Sequence, residues 1–380
     1  MKFRVVLPST MRDVRLDLFR GMANWAIFLG HIPNNVLAWV TVRNYGFSDG
    51  ADLFVFISGY TAAMVYGKIM FKAGFLIAAT RLLKRVWKLY VAHVLLFVFY
   101  LASVHYLAHN YDIPHLMDQF NVASLMDHPV ETLANGLVLK FKPLNLDVLP
   151  LYIALLGFFP LVLRGILARP NWILMISVLL YFAARHFHWN LSSYPSGVWY
   201  FNPFTWQFLF ILGAWLALGG NARLTAVSRS TWIIAVSAIY LLFAAAMTVS
   251  SHFPATQPDF PSWLFELFNP NDKTNLAPYR VVHLVSLVLI ITRYVTIDCS
   301  VLKWRTLKPL IKCGEQSLEV FCVGVFLSLI AHFVLVMTSE TILSQFLVSA
   351  AGIGIMIAVA YYGSWSKRID KQHPWTIAAK

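Results

Sequence analysis

RLDLFRGMANWAIFLGH, residues 15–31, is apolar enough to enter a membrane yet keeps one polar edge, made by Asp17, Arg20, Asn24 and His31. At about 100° per residue Arg20 and His31 share a helix face, roughly 16 Å apart along the axis. Ionisable groups are costly in hydrocarbon. Inside a bundle they mark a path for protons, ions or substrate; the competing reading is a set of interhelical hydrogen bonds. A titratable histidine is a poor choice for plain glue.

Composition agrees with a membrane setting. Of 380 residues, 59% are hydrophobic and 12% charged, and 13 Trp, 16 Tyr and 29 Phe supply aromatic belts. No soluble domain needs that much apolar surface. The net charge of +13 would suggest nucleic acid in a soluble chain, but here its distribution decides. The fold class predicted is an all-α polytopic membrane protein, one domain over 1–380. Its spans fall near 14–38, 51–69, 84–107, 147–164, 171–187, 203–219, 231–250, 279–297, 314–337 and 341–364. With the N-terminus inside, most Lys and Arg fall on the cytoplasmic side, leaving Arg43, Lys140, Lys142, Arg185, Lys273 and Arg280 outside. The positive-inside rule then predicts about ten transmembrane helices with both termini cytoplasmic. The first segment lacks a small-residue cleavage site, so it is expected to stay in the mature chain. Cys299, Cys313 and Cys322 form neither a disulfide framework nor a metal motif, and no metal site is expected.

Two predicted outer loops, about 108–146 and 251–278, are long and rich in Pro, Asn, Asp and His. They are either solvated connectors or a cap that receives a polar substrate.

His31 is the best general base, since an unperturbed imidazole can take a proton from a hydroxyl and return it to a leaving group. FSDGADLFVFISGY, residues 47–60, places Asp49 and Asp52 where an acid could orient that imidazole, with Asp52 the better choice and Asp49 otherwise a helix cap. Ser58 and Gly59 read as close helix packing. Asn24 and Asn35 are guesses for oxyanion donors. Arg81, Lys84, Arg85 and Lys88 lie along about two helical turns and suit phosphate, though positive-inside bias or anionic lipid would produce the same pattern. Asp147, Trp199, Asn202, Gln207, Asn275 and Arg280 fall at the predicted outer face. Rings beside Asn, Gln and Arg suit carbohydrate, and equally an aromatic belt with ordinary caps. His93, His186, His188 and His332 read as structural.

RLDLFRGMA followed by His31 resembles the first-helix signature of the acyltransferase-3 superfamily. RDVRLDLFRG, HIPNN, TVRNYGFSDGADLFVFISGY, PSGVWYFNPFTWQ, KTNLAPYR and SLEVFCVG resemble one branch more closely, the OpgC family of osmoregulated periplasmic glucan succinyltransferases. The blocks spread from Arg12 to about Leu329. The resemblance implies a ten-helix enzyme of the bacterial inner membrane that moves an acyl group from cytoplasmic acyl-CoA to a periplasmic glucan hydroxyl. It implies His31 as the catalytic histidine and Arg20 as the first-helix arginine, with Arg81 and Lys84 or Arg85 as the basic pair after the second span. Two departures stand out: Lys84 replaces a frequent second arginine, and Ser317-Leu318-Glu319 lacks the histidine of the late superfamily motif.

The function predicted is therefore a membrane O-acyltransferase using succinyl-CoA or a similar acyl-CoA, with no tightly bound cofactor. CoA would dock near Arg81, Lys84 and Arg85, and its arm would pass Arg20 to reach His31, with Asp52 assisting. Direct transfer and an acyl-His31 intermediate both remain open. The acceptor residues predicted are Asp49, Asp147, Trp199, Asn202, Gln207, Asn275 and Arg280. Partners expected are membrane lipid, acyl-CoA and periplasmic glucan, not nucleic acid, with a homo-oligomer left open. The rivals are an exporter of glucan or lipid-linked saccharide, and a structural or sensory subunit.

Overall fold

The computed structural model describes residues 13–372, apart from 114, 254, 257–259 and 339. The predicted cytoplasmic tails, 1–12 and 373–380, lie outside the described residues. Among the described residues the fold is helical, with one isolated strand-like bridge between Ser192 and Val198.

Among the described residues seven helices are long and apolar enough to cross a membrane: Gly50–Ala73, Phe75–Asn110, Val148–Ala168, Pro203–Ser228, Thr231–His252, Ser317–Met337 and the helix beginning at Ile342. Three further helices coincide with predicted spans but have only 17 residues each, Val14–Gly30, Pro170–His186 and Pro278–Tyr294. The first is shorter than the predicted 14–38. Pro33 removes a donor and disfavours helix before it, and Asn34 adopts φ 56°, so the chain leaves the helix at His31 and continues as short 3₁₀ turns. The third is longer than predicted, running 36 residues from Phe75. Helix formation does not stop where hydrophobicity stops, and the basic run 81–88 belongs to this same rod. The ninth span begins at Ser317, because Gln316 breaks it from the short helix Lys308–Glu315.

The chain forms two compact units, residues 45–294 and residues 13–44 with 295–372. In the smaller unit, Val14–Gly30 crosses Lys308–Glu315 backbone to backbone. A Cβ on Gly21 would lie 1.9 Å from the Leu310 carbonyl oxygen, and one on Gly314 would lie 1.7 Å from that of Asp17. Only hydrogen fits there. Phe28, Leu29, Ile32, Cys313, Val320 and Met356 close the core beside this crossing.

In the larger unit, Gly50–Ala73 and Pro203–Trp215 approach through Gly59 and Gly213, whose added Cβ atoms would meet the Phe210 and Phe56 carbonyls at 1.9 and 2.2 Å. That bears out the packing reading of Gly59; Ser58 receives Tyr152, whose hydroxyl sits 2.8 Å from Ser58 Oγ. The two long loops are folded. The first carries helices His115–Gln119, Ser124–Asp127 and Pro129–Leu137, which bury Leu116, Met117 and Phe120. The second carries Ser262–Phe268, whose Phe268 stacks on Phe47 at 5.0 Å between ring centroids.

Candidate functional site

His31 occupies the C-cap of the first helix. Its amide donates to the carbonyls of Ile27 and Phe28, and its side chain is half-buried. Phe28, fully buried one turn earlier, meets Gly352 so closely that an added Cβ there would lie 2.2 Å from the ring. After the helix, Asn35 donates to Ser349 Oγ at 3.1 Å, and the Val36 amide donates to Gln345 Oε1 at 2.8 Å. Arg43 donates to the Gly30 carbonyl at 2.7 Å, satisfying an orphan of the last turn. The backbone on both sides of His31 is thus anchored, which fixes where its ring starts. Asn35 is part of that anchor, so the guess of an oxyanion role for it gives way to a structural one.

Lower on the same helix Arg20 pairs with buried Asp17 at 2.5 Å and also donates to the Leu16 carbonyl. Asn24 reaches Ser317 through long contacts of 3.4 Å to its carbonyl and hydroxyl. The polar edge read from sequence is real, and part of it ties helices together.

The larger unit gathers most of the predicted acceptor residues. Asp49 caps Gly50–Ala73 by accepting from the Ala51 amide, while Asp52 accepts from the Asp49 amide at 2.9 Å, completing a capping box. Arg280, near the start of Pro278–Tyr294, grips Asp52 with two nitrogens, Nη2 to Oδ2 at 2.5 Å and Nε to Oδ1 at 3.3 Å. Its third nitrogen donates to Asn271, which in turn donates to the Phe47 carbonyl. Lys273 pairs with Asp49 at 2.6 Å. Burial alone would raise the Asp49 carboxyl, but Lys273 and Arg280 hold it well below the usual carboxylate range. Asp52 is fully buried and its carboxylate is held by Arg280 and a backbone amide. Asp52, predicted to assist His31, is engaged here as the anchor of Arg280.

Asn202 joins this network, donating to Asn275 Oδ1 at 3.0 Å and to the Trp189 carbonyl. Arg185 pairs with Asp272 and donates to the Asn275 carbonyl. Sequence reasoning missed Asn271, Asp272, Lys273 as a ligand of Asp49, and the buried contact of 2.7 Å between Ser48 Oγ and His283 Nδ1. The signal available was the run NPNDKTN, residues 269–275, turn formers whose side chains readily bond nearby backbone.

Two predicted acceptor residues have other work. Gln207 bonds Ser177 on the adjacent helix, through its Oε1 and Nε2. Trp199 is buried, and the Lys142 ammonium lies over its ring at 4.3 Å. Beside them, burial pushes the Asp147 carboxyl up to about 6, against the pull of Lys142, and lowers Lys142 to about 8. A raised carboxyl means the folded chain holds its proton more tightly than the unfolded one. That stability is full below about pH 4 and is lost as pH rises through about 6. Asp147 therefore adds a downward component to the melting temperature across this interval, and Asp147→Asn should remove that component from the pH dependence. An unchanged slope in the variant would remove Asp147 from the explanation.

Arg81 and Lys84 are exposed and Arg85 half-buried on the amino-terminal part of Phe75–Asn110. The sequence also holds an i, i+4 histidine pair overlooked by the metal-free reading, His105 and His109, whose exposed rings stack with centroids 6.4 Å apart. Among the described residues no group of three or more His, Cys, Asp or Glu could hold a metal.

Seven apolar helices among the described residues define a class, a multi-pass helical membrane protein. The chain belongs to the OpgC family: the family model described as OpgC protein matches residues 12–368. Membership points to a role in the succinylation of osmoregulated periplasmic glucan. No curated protein and no solved structure matches the chain.

Proposed function

We propose that the chain is an O-acyltransferase that moves a succinyl group from cytoplasmic succinyl-CoA to a hydroxyl of periplasmic glucan. The observation that carries this reading is a titratable histidine at an anchored helix end, above Arg20 on one polar edge, within a chain of this family. His31 would take the hydroxyl proton as the glucan oxygen attacks the thioester carbonyl. The C–S bond then breaks, and the proton passes from the imidazolium to the CoA thiolate. Arg81, Lys84 and Arg85 would hold the phosphates of CoA, Arg being the better partner through its fork of donors. Arg20 would line the route of the pantetheine arm. The network of Asp49, Arg280, Asn202 and Asn275 would serve the acceptor, with its charges balanced for a neutral sugar.

The same reading places ten spans in the bacterial inner membrane with both termini cytoplasmic, supported by the skewed distribution of Lys and Arg. Reporter fusions at Lys380 and near Asp118 should report opposite sides; the same side for both would mean a miscounted span.

The direct test is transfer of labelled succinyl from succinyl-CoA to unsubstituted glucan by purified protein. Removing charge at Arg81 and Arg85 together should raise the apparent KM for succinyl-CoA and leave acceptor KM little changed. Wild-type donor affinity should weaken with salt, since the site faces solvent. Glucan passage without any labelled ester would favour the exporter instead.

A further inference from the structure

Beside the acceptor network, the larger unit presents aromatic rings that neither its core nor its mechanism uses. Phe187 and Trp189 are 60% and 48% exposed and stack at 5.6 Å with 24° between planes. Tyr200, 48% exposed, lies on the returning arm of the same short hairpin, opposite Asn190, with the Lys273 ammonium 5.9 Å from its ring centroid. The hairpin is pinned by Trp199 N to Leu191 O at 2.9 Å, by Ser193 N to Gly197 O at 3.0 Å, and by Gly197 at φ 83°. Asn202 ties its base to Asn275 through the Trp189 carbonyl. The rings are therefore held before any ligand arrives, which lowers the entropy cost of binding.

We infer that Phe187 and Trp189 form a shelf that binds the glucan chain away from the reacting hydroxyl. This rests on the acceptor reading above and extends it to a second contact with the polymer. The C–H bonds on the face of a glucose ring are weakly positive and pack on the negative face of an aromatic ring, so successive sugars can lie along stacked rings. The adjoining network pairs Asp49, Asp52 and Asp272 with Arg280, Lys273 and Arg185. Balanced charge suits a neutral polyol and offers no net attraction to an anionic headgroup. Half-exposed Arg185 and Asp272 present directional partners for hydroxyls next to the rings.

The test is calorimetric binding of sophorohexaose, laminarihexaose and cellohexaose, with glucose as control, to the full-length protein in detergent without any acyl donor. At least one hexasaccharide should bind more tightly than glucose. Phe187→Ala combined with Trp189→Ala should weaken that binding about tenfold or more, whereas Trp189→Phe should stay close to wild type. Thermal unfolding checks that the double variant folds. Unchanged hexasaccharide affinity in the double alanine variant overturns the shelf. So does quenching of Trp189 by brominated lipid, measured against Trp189→Phe, because the rings would then face the bilayer. Binding without succinyl transfer would sink the acyltransferase reading and leave the shelf standing; transfer with shelf-independent binding would do the reverse.

Discussion

His31→Ala should abolish succinyl transfer while the protein still inserts and unfolds at an almost unchanged temperature. Removing a general base costs about 10²–10⁴-fold in rate, the largest loss expected of a single substitution here. Folding should survive, because the elements around His31 are fixed by other groups: Phe28 against Gly352, Asn35 on Ser349, and Arg43 on the Gly30 carbonyl. The effect should fall on kcat, with donor KM little moved, since the phosphates of CoA are assigned to other residues. Near-normal transfer by a well-folded His31→Ala variant would sink the assignment.

Asp52→Ala should destabilise the protein by about 3–5 kcal/mol, the range for leaving one partner of a buried ion pair alone. Arg280 would then be a buried cation with Asp49 as its remaining carboxylate contact, at the longer distance of 3.4 Å. The capping box would go too, freeing the Asp49 amide. Combining Asp52→Ala with Arg280→Met should restore much of the lost stability, because a pair replaced by apolar groups no longer leaves a stranded charge. Melting temperatures of both single variants and the double variant complete the cycle. Additive losses would mean that the two side chains do not depend on each other. Transfer activity separates this role from a catalytic one: an Asp52 that only positions Arg280 and caps its helix should affect acceptor KM and stability more than kcat.

Asp52 also shows where one-dimensional reading reaches its limit. The capping position was visible, since Asp49 and Asp52 stand three residues apart at the start of an apolar run. The partner was not, because Arg280 lies 228 residues away in sequence. Trp199 is the opposite case. A ring beside Asn and Gln suggested a sugar surface, yet the fold turns it under Lys142 and leaves Trp189 and Tyr200, its near neighbours, in the open. Which rings of an aromatic-rich segment face outward depends on hairpin register, and residues 189–200 alternate too briefly to declare it. The i, i+4 pair His105 and His109 was open to inspection all along.

By itself the sequence determined the helical membrane class, the polar edge from Asp17 to His31, the basic run at residues 81–88 and the family. These are local properties: hydropathy, charge and spacing along one helix are set by neighbouring residues, whatever the rest of the chain does. Only the tertiary structure decided that the first helix stops at His31, that Asp52 belongs to Arg280, and that the loop at residues 269–275 supplies Asn271 and Lys273 to the polar cluster. A buried charge must find its counter-charge wherever the packed chain brings one, and sequence distance places no limit on that choice.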